Sequence, residues 1–217
     1  MDPIALRAFQ REVAKQCRFA LASIDLLNRA NQTLAELWAE DFPSKESRQQ
    51  TEVTQYQLWF SIQSFLISAA NISKLLWGTK AGTNAEKWAK RKRERLQVRT
   101  SLGVADNSIL KLSPEFRNHY EHFDERIEDW AERSSSACHV LLNDVIGATA
   151  TVHGLDSDSF MRSYDPATQR LSFRGETFEI IPVVEAINQL LPVAIEAASK
   201  PHWEDPGQSA TTGGGGQ

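Results

Sequence analysis

From the N-terminus to about residue 133 the apolar positions recur at steps of three and four, the period of helices with one face turned to a core. Between Pro3 and about Asp41 the series is Ile4, Phe9, Val13, Phe19, Leu21, Ile24, Leu27, Leu34, Leu37 and Trp38, without an internal Gly or Pro. This predicts one long helix, stopped by Phe42-Pro43-Ser44. A second long helix is predicted near 47–77. Its centre, WFSIQSFLISAANISKLLW, is apolar almost all round, which predicts the most buried element of the fold. Ser61, Ser64, Ser68, Ala69 and Ala70 allow close helix contact there, and Gly78 is the natural stop. A shorter, strongly basic helix is predicted from Ala85 to about Leu102. A fourth, near 114–133, has Ser113 as N-cap, Pro114 at its first position and Glu115 in its first turn. Its apolar stripe is Phe116, Tyr120, Phe123, Ile127 and Trp130.

Beyond Ser134-Ser135-Ser136 the pattern changes. Cys138 to Ile146 is apolar and β-branched and fits either a strand or a last helical turn. FMRSY and QRLSF flank the turn signal Asp165-Pro166-Ala167-Thr168, and ETFEI follows Gly175. This predicts a small β-hairpin or three-strand meander near 160–181, with Phe160, Tyr164, Phe173 and Phe178 packing on the helices. Pro182 opens a last helix to about Ser199, kinked at Pro192. The fold class is therefore mainly α: a bundle of about four helices with a small C-terminal β-hairpin and a final short helix. The expected organisation is a bundle over 1–135, hairpin and helix over 136–200, and a disordered tail over 201–217, where PHWEDPGQSATTGGGGQ is of low complexity.

Composition narrows the function classes. A chain of 217 residues, 41% hydrophobic and 24% charged, can build one well-cored domain. The formal charge of −4 means that any nucleic-acid contact must come from a local patch. Cys17 and Cys138 stand far apart in no ligand-like spacing, which suits a reducing cytosol. The N-terminus is charged from the outset, unlike a secretory signal, and no apolar run approaches the roughly 20 residues of a membrane span. The expectation is a soluble cytoplasmic protein with no membrane segment.

One local patch exists. The basic helix carries Lys87, Lys90, Arg91, Lys92, Arg93, Arg95 and Arg99. Lys87, Lys90, Arg91, Arg93 and Arg95 are candidates to hold an RNA backbone. The plainer alternative is a solvated helix face, partly neutralised by Glu86 and Glu94.

The residues that suggest chemistry lie on the fourth helix. At about 100° per residue, Arg117 and His122 fall roughly 140° apart and straddle the face opposite the apolar stripe. The core does not need them there. A permanently charged, fork-shaped guanidinium can pair with a scissile phosphate, and an imidazole that titrates near neutrality can move the 2′-hydroxyl proton. Asn118 could orient the sugar. The structural alternative is that Arg117 pairs with Glu121 on a solvated face. A second Arg/His pair, Arg133 and His139, lacks the following Asn. His119, His122 and Glu125 step round one edge of the helix and could ligate a transition metal, but no carboxylate on another helix completes the set. No metal or cofactor is therefore assigned.

Arg117-Asn118-x-x-x-His122, just inside a capped helix that follows long helices, resembles the HEPN domain family, many of whose members are metal-independent RNases. The resemblance covers residues 1–135. It implies a homodimer in which two copies of the central helix meet, with Arg117, Asn118 and His122 forming the catalytic site and RNA as substrate. It also implies a toxin or antiviral effector with an antitoxin or defence-system partner protein. A catalytically silent module for protein or nucleotide binding is the other role the family offers. One position departs from the pattern: where a Tyr often follows the His by two positions in the toxin-like branch, this chain has Asp124.

Overall fold

A computed structural model of the chain describes residues 1–80, 82, 84–111, 123–133, 142–147, 160–173 and 176–201. It is mainly α, with a small sheet near the C-terminus followed by a helix. Helix α1 spans Pro3–Trp38 and α2 Lys45–Trp77. Helix α3 spans Ala85–Ser101, α4 Phe123–Arg133 and α5 Ile180–Ser199. The strands are β1 (Leu142–Ile146), β2 (Phe160–Asp165), β3 (Arg170–Phe173) and β4 (Glu176–Glu179).

Local chemistry sets the helix ends. Asp2 caps α1 by accepting the Ala5 N–H at 3.0 Å, ahead of Pro3. Ser44 caps α2 through the Ser47 N–H at 3.0 Å, which starts that helix two residues before the predicted Ser47. Asn84 caps α3 through the Lys87 N–H at 2.9 Å. Gly78 takes φ +77, a left-handed conformation open to glycine, and its N–H closes α2 on the Lys74 carbonyl at 2.8 Å. Helix α1 stops at Trp38 rather than Asp41, its end tightening as the Ala39 N–H donates to the Glu36 carbonyl at 3.2 Å.

Helices α1 and α2 pack antiparallel, with Asn71 Nδ2 of α2 3.4 Å from Gln16 Oε1 of α1. Their shared seam is the core. Val13, Cys17, Ala20, Leu27 and Leu34 meet Leu58, Ile62, Phe65, Ala69, Ile72 and Leu76, all essentially without solvent contact. Ser61 and Ser68 are buried in the same seam, as the small-residue pattern predicts, and the Ser61 hydroxyl is satisfied by the Gln57 carbonyl at 2.7 Å. Helix α2 is nonetheless not buried all round. Val53, Tyr56, Phe60 and Ile67, spaced three, four and seven apart, form one outward stripe, and Tyr56 and Phe60 are each 65% exposed. The described elements cover only the opposite side of the helix.

The sheet has the order β1-β2-β3-β4. Strands β2, β3 and β4 form the predicted antiparallel meander, and Asp165 shapes its first turn by accepting the Ala167 N–H at 3.0 Å and the Thr168 hydroxyl at 2.8 Å. The segment whose pattern fits both a strand and a helical turn contributes β1, paired parallel to β2. Phe160, Tyr164 and Phe173 are buried and Phe178 is partly so, in keeping with their predicted packing. Tyr164 accepts a hydrogen bond from Asn31 Nδ2 of α1 at 3.0 Å, and the Arg162 guanidinium lies 5.0 Å over the Trp59 ring of α2. Residues two apart on β2 thus both face the helical hairpin.

Helix α5 departs from expectation twice. It starts at Ile180, so Pro182 sits inside the first turn, where its missing N–H leaves no bond unmade. It also runs for 20 residues, through Pro192, with only Glu185 and Glu196 charged. Among the described residues it alone is long and apolar enough by length and composition to cross a bilayer, although Glu185, Asn188, Gln189 and Glu196 interrupt its apolar run. Ile180, Val183, Ile187, Leu190, Ala194 and Ala197 are buried, and the helix packs on α1. The start of the fourth predicted helix (114–122) and the tail beyond Pro201 lie outside the described residues.

Candidate functional site

The motif residues Arg117, Asn118 and His122, and His119 beside them, lie outside the described residues. Described structure resumes in α4 at Phe123, with Asp124 and Glu125 exposed and Ile127 40% exposed. The other sequence-predicted site, the basic helix α3, is described in full.

Helix α3 divides its cations between two faces. Lys87, Lys90, Lys92 and Arg93 are exposed. Lys90 stands 3.9 Å from Glu94, and Lys92 Nζ lies 5.4 Å over the Trp88 ring. Arg91, Arg95 and Arg99 follow one another at steps of four and turn inward towards the end of α2. Their reason for doing so is visible in the backbone they meet. The last carbonyls of a helix have no partner within it, and an arginine supplies both donors and the charge that suits that end. Arg99, 8% exposed, donates to the Leu76 carbonyl at 2.6 Å and to Asp106 at 2.6 Å, and its guanidinium lies 5.3 Å over the Trp77 ring. Arg91 donates to the Thr79 carbonyl just beyond α2. Any side chain on Gly78 would press on the Arg91 stem, since a Cβ there would come within 3.1 Å of Arg91 Cδ.

Arg95 is held differently. Its guanidinium lies 3.8 Å over the Phe9 ring of α1, and its Nε is buried with no hydrogen-bond partner among the described residues. Burial, with neighbouring Arg91 adding to it and Glu94 opposing, lowers its affinity for its proton. A pocket of about 380 Å³ opens beside it, between α1, α2 and α3. Arg91, Arg95 and Lys74 bring three positive charges to the pocket, and Gln16 and Asn71 bring amides. Glu12 lines the α1 side, where Gln16 at 2.8 Å and Lys15 at 3.1 Å hold its carboxyl below the usual range.

Of the five predicted backbone-binding residues, the structure therefore leaves Lys87, Lys90 and Arg93 facing solvent and draws Arg91 and Arg95 into a separate pocket. The run of charges conceals this division, and the four-residue step that ends beside Val98 and Leu102 is the signal for it. Lys74 does not stand out in the sequence, because a lone lysine near a helix end usually answers only the helix dipole. No group of three or more metal-ligating side chains is found among the described residues. No protein-family model matches the chain, and no curated protein or solved structure is significantly similar to it.

Proposed function

We propose that this chain is a metal-independent endoribonuclease of the HEPN type, acting as a cytoplasmic toxin or antiviral effector. The observation that carries the reading is the solvent-facing row Lys87, Lys90, Lys92 and Arg93 on a helical bundle whose chain also holds Arg117-Asn118-x-x-x-His122. In this reading the row binds phosphates without regard to sequence. Arg117 pairs with the scissile phosphate, Asn118 orients the sugar, and His122 moves the proton of the 2′-hydroxyl. That hydroxyl attacks the adjacent phosphorus, the 5′-oxygen of the next nucleotide leaves with a proton, and a 2′,3′-cyclic phosphate remains. An Arg and a His suffice for this transfer, which is why the reading needs no metal. Because the two side chains splay apart on an ideal helix, a second copy of the central helix completes the pocket, and the active species is a homodimer. The test is purified protein with mixed RNA in EDTA, read by mapping the ends produced. Cyclic phosphate ends, lost in His122→Ala, support the reading; undiminished cutting by His122→Ala, or cutting that EDTA abolishes, overturns it.

A second reading, a catalytically silent module for protein binding, is favoured by the outward stripe Val53, Tyr56, Phe60 and Ile67 on α2. Wild-type protein that cuts no RNA, yet self-associates or captures a protein through a surface that Phe60→Lys destroys, would select it.

A further inference from the structure

We infer that the pocket between α1, α2 and α3 is a binding site for a phosphomonoester of a sugar, with Arg95, Arg91 and Lys74 holding the phosphate. The inference does not depend on the nuclease reading, since the pocket contains none of the motif residues.

A guanidinium drawn against the interior ordinarily has a carboxylate or carbonyl to receive its protons, as Arg99 has in Asp106 and the Leu76 carbonyl. Arg95, half-buried, has the Phe9 ring on one side and, unlike Arg99, neither a carboxylate nor a carbonyl within hydrogen-bond reach among the described residues. Arg91 stands one helical turn away with only one of its guanidinium nitrogens engaged by Thr79, and Lys74 comes from the facing helix. Arg91 and Arg95, like charges one turn apart, repel one another, and a dianion relieves that repulsion while accepting several charge-assisted hydrogen bonds. Stacking on Phe9 fixes the plane of the Arg95 fork beforehand, so little side-chain freedom remains to be lost on binding.

The rest of the pocket selects the ester rather than bare phosphate. At about 380 Å³ it is larger than a phosphate ion. Glu12, already held by Gln16 and Lys15, repels a second anion but accepts from a hydroxyl. The amides of Gln16 and Asn71, only 3.4 Å apart, can each donate and accept. A phosphate at one end and hydroxyls at the other describe a phosphorylated sugar, whether free or at the 5′ end of an RNA.

The experiment is calorimetric titration of the full chain with inorganic phosphate, ribose 5-phosphate, ribose, and one short RNA prepared with a 5′-phosphate and with a 5′-hydroxyl. Ribose 5-phosphate should bind more tightly than phosphate, and ribose should not bind. Arg95→Ala should weaken binding by about 10- to 100-fold, the loss of charge-assisted hydrogen bonds of about 1.5–3 kcal/mol. Should Arg95→Ala melt early because Phe9 loses its partner, Lys74→Gln, titrated below its own thermal midpoint, must weaken binding by about 10-fold. Preference for the 5′-phosphorylated RNA over its 5′-hydroxyl form assigns the site to an RNA end; equal behaviour of the two, with tight ribose 5-phosphate binding, assigns it to a free metabolite. Absence of binding by every phosphorylated probe at millimolar concentration, or binding that both variants leave unchanged, overturns the inference.

Discussion

Arg7, in the first turns of α1, donates to the carbonyl of Ala197, 190 positions later, in the last turn of α5. The same guanidinium reaches Gln10 Oε1 at 2.7 Å and the Pro201 carbonyl at 3.3 Å, and the residue is 4% exposed. Helix α5 carries no basic residue in its own last turn, so the cation that suits its C-terminal carbonyls comes from the other end of the chain. Arg7→Ala would strand buried acceptors and is expected to cost about 2–4 kcal/mol. Chemical denaturation should record that loss, and hydrogen exchange should place the lost protection in α5. An unchanged midpoint would mean that the interaction contributes nothing.

A matched pair separates burial from charge at the α2–α3 junction. Arg99→Ala removes the donor to the Leu76 carbonyl from a nearly closed site and should cost about 2–4 kcal/mol. Asp106 shares the same ion pair at 2.6 Å, but its side chain is 76% exposed. Water can replace it, so Asp106→Ala should cost under about 1 kcal/mol. Equal costs would show that the pair, rather than the cap, holds the junction.

Alkaline pH should destabilise the fold through two buried acids. Burial pushes the Cys17 thiol up to about 12 from an ordinary value of 9.0, and burial likewise raises the Tyr164 phenol, with the Asn31 bond opposing. Between the two thiol values the unfolded chain has lost the proton that the folded chain keeps, so stability falls as pH rises from about 9 towards 12. The slope should be on the order of 1 kcal/mol per pH unit for each group. Cys17→Ala should flatten part of it, and denaturation at a series of pH values from 8 to about 11 reads the difference. In a Cys138→Ser background, a thiol reagent should reach Cys17 only as fast as the protein opens.

RNA affinity should respond to the outer face of α3 in proportion to charge. Replacing Lys87, Lys90 and Arg93 together by Gln should leave the thermal midpoint almost unmoved, because all three are exposed. It should reduce the slope of log K against log salt by about 2–3, near one unit for each phosphate no longer neutralised. Filter binding of a short RNA over a range of salt concentrations measures that slope. An unchanged slope would remove α3 from the RNA-binding surface.

Cleavage should follow the motif. His122→Ala should lower the rate by about 10²–10⁴-fold, the usual worth of general acid–base catalysis, and Arg117→Ala by a comparable factor through weaker charge stabilisation. RNA with 2′-O-methyl at the cut site should resist, having no nucleophile. Single-turnover kinetics on folded variants would decide, and a His122→Ala protein at full rate would end the assignment.

The helices are legible in the sequence because each carries its own signals. Asp2-Pro3, Ser44, Asn84 and Gly78 act within a few residues of themselves, and the three-and-four spacing marks which face is buried. The meander is legible for the same reason: Asp165 makes its turn from local bonds. What neighbours do is not legible. The four-residue step of Arg91, Arg95 and Arg99 marks an inward edge of the helix, but nothing local names what they meet there, which is Thr79, Phe9 and the Leu76 carbonyl. Nor does α2 reveal that Val53, Tyr56, Phe60 and Ile67 remain exposed, because apolar residues on both faces fit equally a helix covered all round. The identity of β1 depends on its parallel pairing with β2, and the end of α5 on Arg7. Periodicity and capping are properties of a segment and can be read from it; the partner of a buried charge is a property of the packing and exists only once distant segments have met.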